Sequence, residues 1–246
     1  ETAQKILRLN QQTYQQIADD FSASRQRSWP EIDLMVEKYI QPGFNILDLG
    51  CGNGRLLKSL KDITCFQYLG LDNCNNLLPN RQELLARLKD SIKQRVEFKK
   101  GDILNLEQLK DNQFDAVFMI ASFNHLPSQS LRQQALNQIQ RILKPGGLLI
   151  MTNWNLWQTK SKKNIWRYKF LSRPVNYAFQ DLSFKDVITL WHKRHPLYYR
   201  AFTREELKKL FTKSKLKVLE NYYVSQGKKV NWWNGRNILT VAQKKS

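Results

Sequence analysis

Acidic residues are scarce in this chain: 21 Asp and Glu stand against 40 Lys and Arg, a formal charge of +19 over 246 residues. Such an imbalance attracts polyanions over long range, whether nucleic acid or an acidic membrane surface, and does not by itself choose between them. Cysteine is scarce too. Cys51, Cys65 and Cys74 are an odd number without the paired spacing of zinc ligands. That argues against a disulfide framework and a structural metal site, and for a reducing, cytoplasmic compartment. No run approaches the roughly 18 consecutive apolar residues that cross a bilayer, and the first residues lack a charged-then-apolar export pattern. Apolar mass, by contrast, is ample at 41% of residues, enough to bury the core of one domain with elaborations.

Short apolar runs alternate with helical stretches along the first two thirds of the chain. "FNILDLG" (44–50), "CFQYLGLD" ending at Asp72, "VEFKKGD" ending at Asp102, "FDAVFMIAS" and "LLIMTNW" read as strands. The fourth is almost wholly apolar, as a central parallel strand buried on both faces is. Helices are predicted after the glycine-rich "CGNGRLLKSL", over about Asn75 to Ile92, and after Ser128, a plausible N-cap for Leu131, Ala135, Ile139 and Ile142 on one face, stopped by "KPGG". Pro30 marks the first turn of an earlier helix. "TREE" (203–206) is a capping box, and "LKVLENYYV" and "NILTVAQ" are two closing strands. The pattern is that of an α/β, doubly wound, mostly parallel sheet. Trp154 to about Pro196 breaks the alternation. It carries Trp154, Trp157, Trp166, Tyr168, Phe170, Tyr177 and Phe179 among Lys160, Lys162, Lys163, Arg167, Lys169 and Arg173, and reads as an insert on the ligand-bearing face.

The loop "DLGCGNG" places Gly50, Gly52 and Gly54 between a strand and a predicted helix, with Asp48 ahead of them. Glycines permit positive φ and close approach of a ligand, and a helix N-terminus behind them favours acceptors. The spacing is G-x-G-x-G and not the dinucleotide G-x-G-x-x-G, and Asp72 closes the next strand where a ribose-binding carboxylate sits. This resembles the class I S-adenosylmethionine-dependent methyltransferases over roughly residues 44–153. The resemblance implies a seven-stranded Rossmann-like sheet and a cofactor site made of Asp48, Gly50, Cys51, Gly52, Asn53 and Gly54. Asp72 and Asn73 would lie at the ribose, Asp102 and Ile103 near the adenine, and Ala121 and Ser122 at the end of the fourth strand. Read without it, Asp102 is a turn-capping carboxylate and Cys51 a small buried residue.

After the fourth strand, "IASFNHLPS" lacks the Asn/Asp-Pro-Pro-aromatic pattern of exocyclic amine methylation and the Pro-Cys pair that activates a pyrimidine ring carbon. His125 is the one titratable side chain there, either a general base or a packing residue. An acceptor that is already an anion needs no base, only cations to position it.

At that point the segment "YQQIADDFSASRQRSWPEID" becomes informative. With "DLGCGNGRLL", "IASFNHL" and "RILKPGG", and more loosely "QDLSFKDVITLWH" and "LYYRAFTREEL", it resembles the tRNA wobble-uridine carboxymethyl methyltransferases. That family implies methyl transfer from S-adenosylmethionine to the carboxylate of 5-carboxymethyluridine in a tRNA anticodon, giving a methyl ester, and in eukaryotic members a small activator partner. By the same resemblance Arg25 and His125 are the catalytic candidates, and Trp29, Asn124, Trp191, Tyr198, Tyr199 and Arg200 belong to the substrate site. Asn124, Leu197 and Arg200 depart from the family's histidine, arginine and histidine.

The basic-aromatic insert, with Lys160, Lys162 and Lys163, and the pair Trp232 and Trp233 suit RNA, whereas Trp154, Phe170 and Phe179 read as core. The expected arrangement is one methyltransferase domain: a helical lid (1–42), a cofactor-binding core (43–153), a substrate-side insert (154–200) and a C-terminal helix with strands (201–246). Two other readings stand beside it: a methyltransferase of an acidic small molecule, and an RNA-binding protein that holds the cofactor with little catalysis.

Overall fold

The computed structural model describes residues 1–79, 95–158 and 182–245. Helices α1 (Thr2–Ala23) and α2 (Pro30–Tyr39) lead into strands β1 (Asn45–Leu49), β2 (Gln67–Asp72), β3 (Val96–Lys100) and β4 (Phe114–Ile120). Helix α3 (Gln129–Ile142), β5 (Leu143–Trp154), β6 (Asp186–Trp191) and β7 (His195–Arg200) follow, then helix α4 (Arg204–Lys213) and β8 (Leu216–Ser225), β9 (Lys228–Lys229) and β10 (Asn237–Lys244). Helix starts follow the sequence closely. Pro30 opens α2 with its φ pre-set. Ser128 accepts the Leu131 N–H and Thr203 the Glu206 N–H, both at 3.2 Å.

The main sheet runs β3-β2-β1-β4-β5-β10-β8-β9. From β3 to β5 it is parallel, and β10, β8 and β9 join antiparallel. Strand order reverses between β1 and β4, and at such a switch point the carboxyl ends of the strands open a crevice. The central strands are dry: Ala116, Val117, Phe118 and Met119 of β4 have no exposed surface. One face packs Ala135, Leu136, Ile139, Leu207 and Phe211 of α3 and α4 against the sheet, the other Ile32, Met35 and Val36 of α2.

Three expectations are corrected. Among the described residues the main sheet has eight strands and not seven, one of them the two-residue β9. The predicted helix behind the glycine loop is one 3-10 turn, Arg55–Lys58, so no long helix dipole backs the loop. The end of the insert is an ordered antiparallel hairpin: β6 pairs with β7 apart from the main sheet, and β7 packs on α1. Most of the predicted helix to Ile92, and Lys160, Lys162, Lys163, Phe170 and Phe179, lie outside the described residues.

Candidate active site

A cavity of about 300 Å³ sits at the switch point, floored by the glycine loop and the ends of β2 and β4 and roofed by α1. The loop's shape needs glycine. Gly50 has φ +74°, and a Cβ there would stand 2.6 Å from the Ser122 Cβ. The Gly50 and Cys51 N–H groups donate to the Leu71 carbonyl at 2.7 and 3.1 Å, tying the loop to β2. Asp72 is fixed by the N–H groups of Gly52 and Cys74, each at 2.9 Å. Ala121, at φ +54°, turns the chain sharply at the end of β4, a strained conformation of the kind concentrated at binding sites.

Asp48 gives the clearest sign of a missing partner. Its Oδ2 accepts the Tyr68 hydroxyl at 2.8 Å, while Oδ1 is buried and unpaired. Burial raises its pKa to about 7, opposed by the Tyr68 hydrogen bond and reinforced by Asp72. A buried carboxylate oxygen on a cavity, without a donor, fits a ligand bearing an ammonium or a cation, as S-adenosylmethionine does. Asn53, Asn73, Asp102, Ile103, Ala121 and Ser122 line the same space. Asp102 also accepts the Leu104 N–H at 2.9 Å, so it caps its turn as well as lining the wall. Cys51 lines it too, its thiol pushed well up by burial and therefore protonated. Gly54 shapes the loop, with its N–H on the Cys51 carbonyl at 3.0 Å.

The other half of the cavity is built by one face of α1. Leu7, Asn10, Tyr14 and Phe21 follow one another at roughly helical spacing, Arg25 stands just past the end of the helix, and all line the cavity. The Arg25 guanidinium lies 4.7 Å from the Phe21 ring and 5.8 Å from the Trp191 ring, and donates to Ser24 Oγ at 3.2 Å. Among the described residues no carboxylate lies within ion-pair distance of it.

His125, on the 3-10 turn Phe123–His125, is engaged at both nitrogens. Nδ1 lies 2.9 Å from the Tyr198 carbonyl and Nε2 2.9 Å from the Tyr14 hydroxyl. A lone pair on Nδ1 would face that carbonyl, so the proton is assigned to Nδ1, and Nε2 accepts from Tyr14. Burial lowers the imidazole pKa to about 4, so the ring is neutral near pH 7. Tyr14 and Tyr199 share a hydrogen bond, and burial raises both phenols.

The structure brings Arg25, Trp29, His125 and Tyr199 together on the cavity and sends other candidates elsewhere. Asn124 is wholly buried, donating to the Arg200 carbonyl and accepting the Trp154 N–H, each at 3.2 Å. Tyr198 donates to Asp186 at 2.6 Å, and Arg200 pairs with Asp186 and Glu206. Tyr198 is bound within the hairpin, Asn124 ties the hairpin to the end of β5, and Arg200 holds it to α4; none of the three lines the cavity. Trp191 frames Arg25 from β6. Trp232 and Trp233 pack edge to face, exposed on the turn before β10 and off the cavity wall. Sequence reasoning missed Asn10, Tyr14 and Phe21, whose spacing from Arg25 was the available signal, and took Trp154 for core although it lines the cavity.

This is the fold of the S-adenosylmethionine-dependent methyltransferases. Residues 47–151 match the methyltransferase domain family. A relative in Encephalitozoon cuniculi, named provisionally as a methyltransferase, is 30% identical over 210 residues, covering 85% of this chain and 87% of its own. The chain belongs to the methyltransferase family. The tRNA (carboxymethyluridine(34)-5-O)-methyltransferase of Arabidopsis thaliana is 31% identical over 145 residues, 57% of this chain and only 31% of that longer protein. A methyltransferase solved in complex with the Haloferax volcanii Trm112 methyltransferase activator shares the fold, with a TM-score of 0.64, 18% identity, and coverage of 96% of this chain and 98% of its own.

Proposed function

We propose that this chain transfers a methyl group from S-adenosylmethionine to the carboxylate of a 5-carboxymethyluridine at the wobble position of a tRNA, forming a methyl ester. The observation that carries the reading is Arg25: a guanidinium beside two aromatic rings, on the cavity wall, without an ion-paired carboxylate among the described residues. A planar donor so placed suits an acceptor carboxylate, which it can grip through two parallel N–H groups. His125 supports the same choice, because both of its nitrogens are engaged, so this imidazole is not free to act as the base an amine or alcohol would need. A carboxylate needs none.

S-adenosylmethionine supplies an electrophilic sulfonium methyl. The protein's part is to hold the carboxylate oxygen in line behind that methyl carbon. Held by the glycine loop, Asp48 and Asp72, the cofactor would supply a methyl group that a carboxylate could take without a proton being removed. Asp48 and Asp72 hold the donor's polar groups, Tyr14 and Tyr199 border the acceptor, and the α1 roof keeps water out. The resemblance to the Arabidopsis enzyme and the charge of +19 support tRNA as the carrier of the acceptor. A small activator protein of the kind bound to the Haloferax methyltransferase is proposed as a partner.

The test is to incubate the protein with methyl-labelled S-adenosylmethionine and tRNA bearing free carboxymethyluridine, then treat with mild alkali. Label released by alkali supports the ester. No incorporation, or alkali-stable label, refutes it.

A further inference from the structure

Besides Arg8 and Arg25, a third guanidinium lines the same cavity. Arg55 follows the glycine loop directly, and Trp29 lies under it at 4.6 Å. Its Nε donates to the Arg27 carbonyl and its Nη2 to the Ser28 carbonyl at 3.5 Å, so it is clamped to the loop between α1 and α2. Nη1 has no acceptor among the described residues, and no carboxylate forms an ion pair with the group. The nearest acids are committed elsewhere: Glu31 accepts the Asn237 amide and Asp33 the Ser28 hydroxyl. Arg55 is close enough to Arg25 to feel its charge. Its pKa is drawn down to about 10, first by burial and then by Arg25, against the opposing charges of Glu31 and Asp33. Arg25 and Arg55, both on the cavity wall, each over an aromatic ring and without an ion pair among the described residues, can each take an anion there.

One nucleotide supplies both. In an anti pyrimidine nucleotide the C5 substituent and the nucleotide's own 5′-phosphate lie along the same edge, while the 3′-phosphate leads away. We propose that Arg55, braced on Trp29, is a subsite for the 5′-phosphate of the nucleotide whose 5-carboxymethyl group reaches Arg25. The inference rests on the carboxymethyluridine reading above and extends it from a base to a nucleotide. Arg55 positions the substrate and touches no reacting atom. The exposed Arg27, on the same loop, extends positive charge outward from this point.

The test is titration calorimetry with S-adenosylhomocysteine present, using 5-carboxymethyluridine, its 5′-monophosphate and its 3′-monophosphate. The 5′-monophosphate binds about tenfold or more tighter than the nucleoside, as a charged hydrogen-bonded pair provides, and the 3′-monophosphate shows no such gain. Arg55→Gln abolishes the gain, Arg55→Lys keeps part of it through charge alone, and both bind S-adenosylhomocysteine as the parent does. Equal affinity of the parent for nucleoside and 5′-monophosphate overturns the proposal, as does a gain that survives Arg55→Gln. Loss of S-adenosylhomocysteine affinity in both variants also overturns it, because Arg55 then serves the cofactor loop. Binding of this pattern without alkali-labile methyl transfer leaves the phosphate subsite standing and refutes the ester reading alone.

Discussion

Arg25 shows how much geometry a single charge carries at this site. Arg25→Lys keeps the charge and loses the planar fork between Phe21 and Trp191, so kcat/KM for the carboxylate substrate falls by about one to two orders of magnitude, the loss of one charged hydrogen bond. Steady-state kinetics check it, and near-parental turnover would remove the clamp role. Gly50→Ala meets a steric limit, since its Cβ would overlap Ser122 and adopt positive φ. The expected cost is about 1–3 kcal/mol of stability with loss of S-adenosylhomocysteine binding, read by thermal melting and titration. His125 gives a signature in pH. Unfolded, its ring takes a proton near 6.5, while in the fold it stays neutral to about 4. Its contribution to stability is therefore lost as pH falls through that interval. Asp48, holding its proton up to about 7, acts in the opposite sense over part of the range, so the informative quantity is the gap between the parent and His125→Gln. Denaturant titrations should find that gap narrowing from pH 7 to pH 4.

At the scale of elements, the cavity depends on a clasp between α1 and the β6–β7 hairpin. Buried Asn10 donates to the Tyr198 carbonyl at 3.1 Å and accepts the Tyr198 N–H at 2.8 Å, and Thr13 donates to the Pro196 carbonyl at 2.7 Å. Asn10→Ala leaves the Tyr198 N–H without that acceptor, at a cost of about 1–3 kcal/mol, and loosens the wall carrying Tyr14 and Tyr199. The expected result is a lower Tm with KM for the acceptor raised more than the Kd for S-adenosylhomocysteine. This clasp also marks where the sequence stopped being legible. Glycine spacing, acids at strand ends and the Ser128 and Thr203 caps are local patterns, and all are found where local chemistry puts them. Asn10 and Tyr198 are 188 positions apart, and nothing in the spacing of either announces the other. For the same reason Asn124, Tyr198 and Arg200 looked like substrate ligands, although their partners lie within the fold.

For the molecule as a whole, charge and topology set the remaining behaviour. With a formal charge of +19, binding to an anticodon stem-loop should weaken steeply with salt, each phosphate contact adding about −0.7 to the log–log slope if the contacted strand is unpaired. Replacing one contacting cation removes about one contact from that slope, which filter binding across a salt series resolves, and a flat profile would point to a small acidic acceptor instead. The α1 roof has a further consequence for biosynthesis. The helix at Thr2–Ala23 leaves the ribosome long before the strand that holds it, His195–Arg200. A nascent chain halted after β5 carries the glycine loop and both acids but has no seat for its first helix. The methyl donor therefore finds a finished chamber only once β7 has been made.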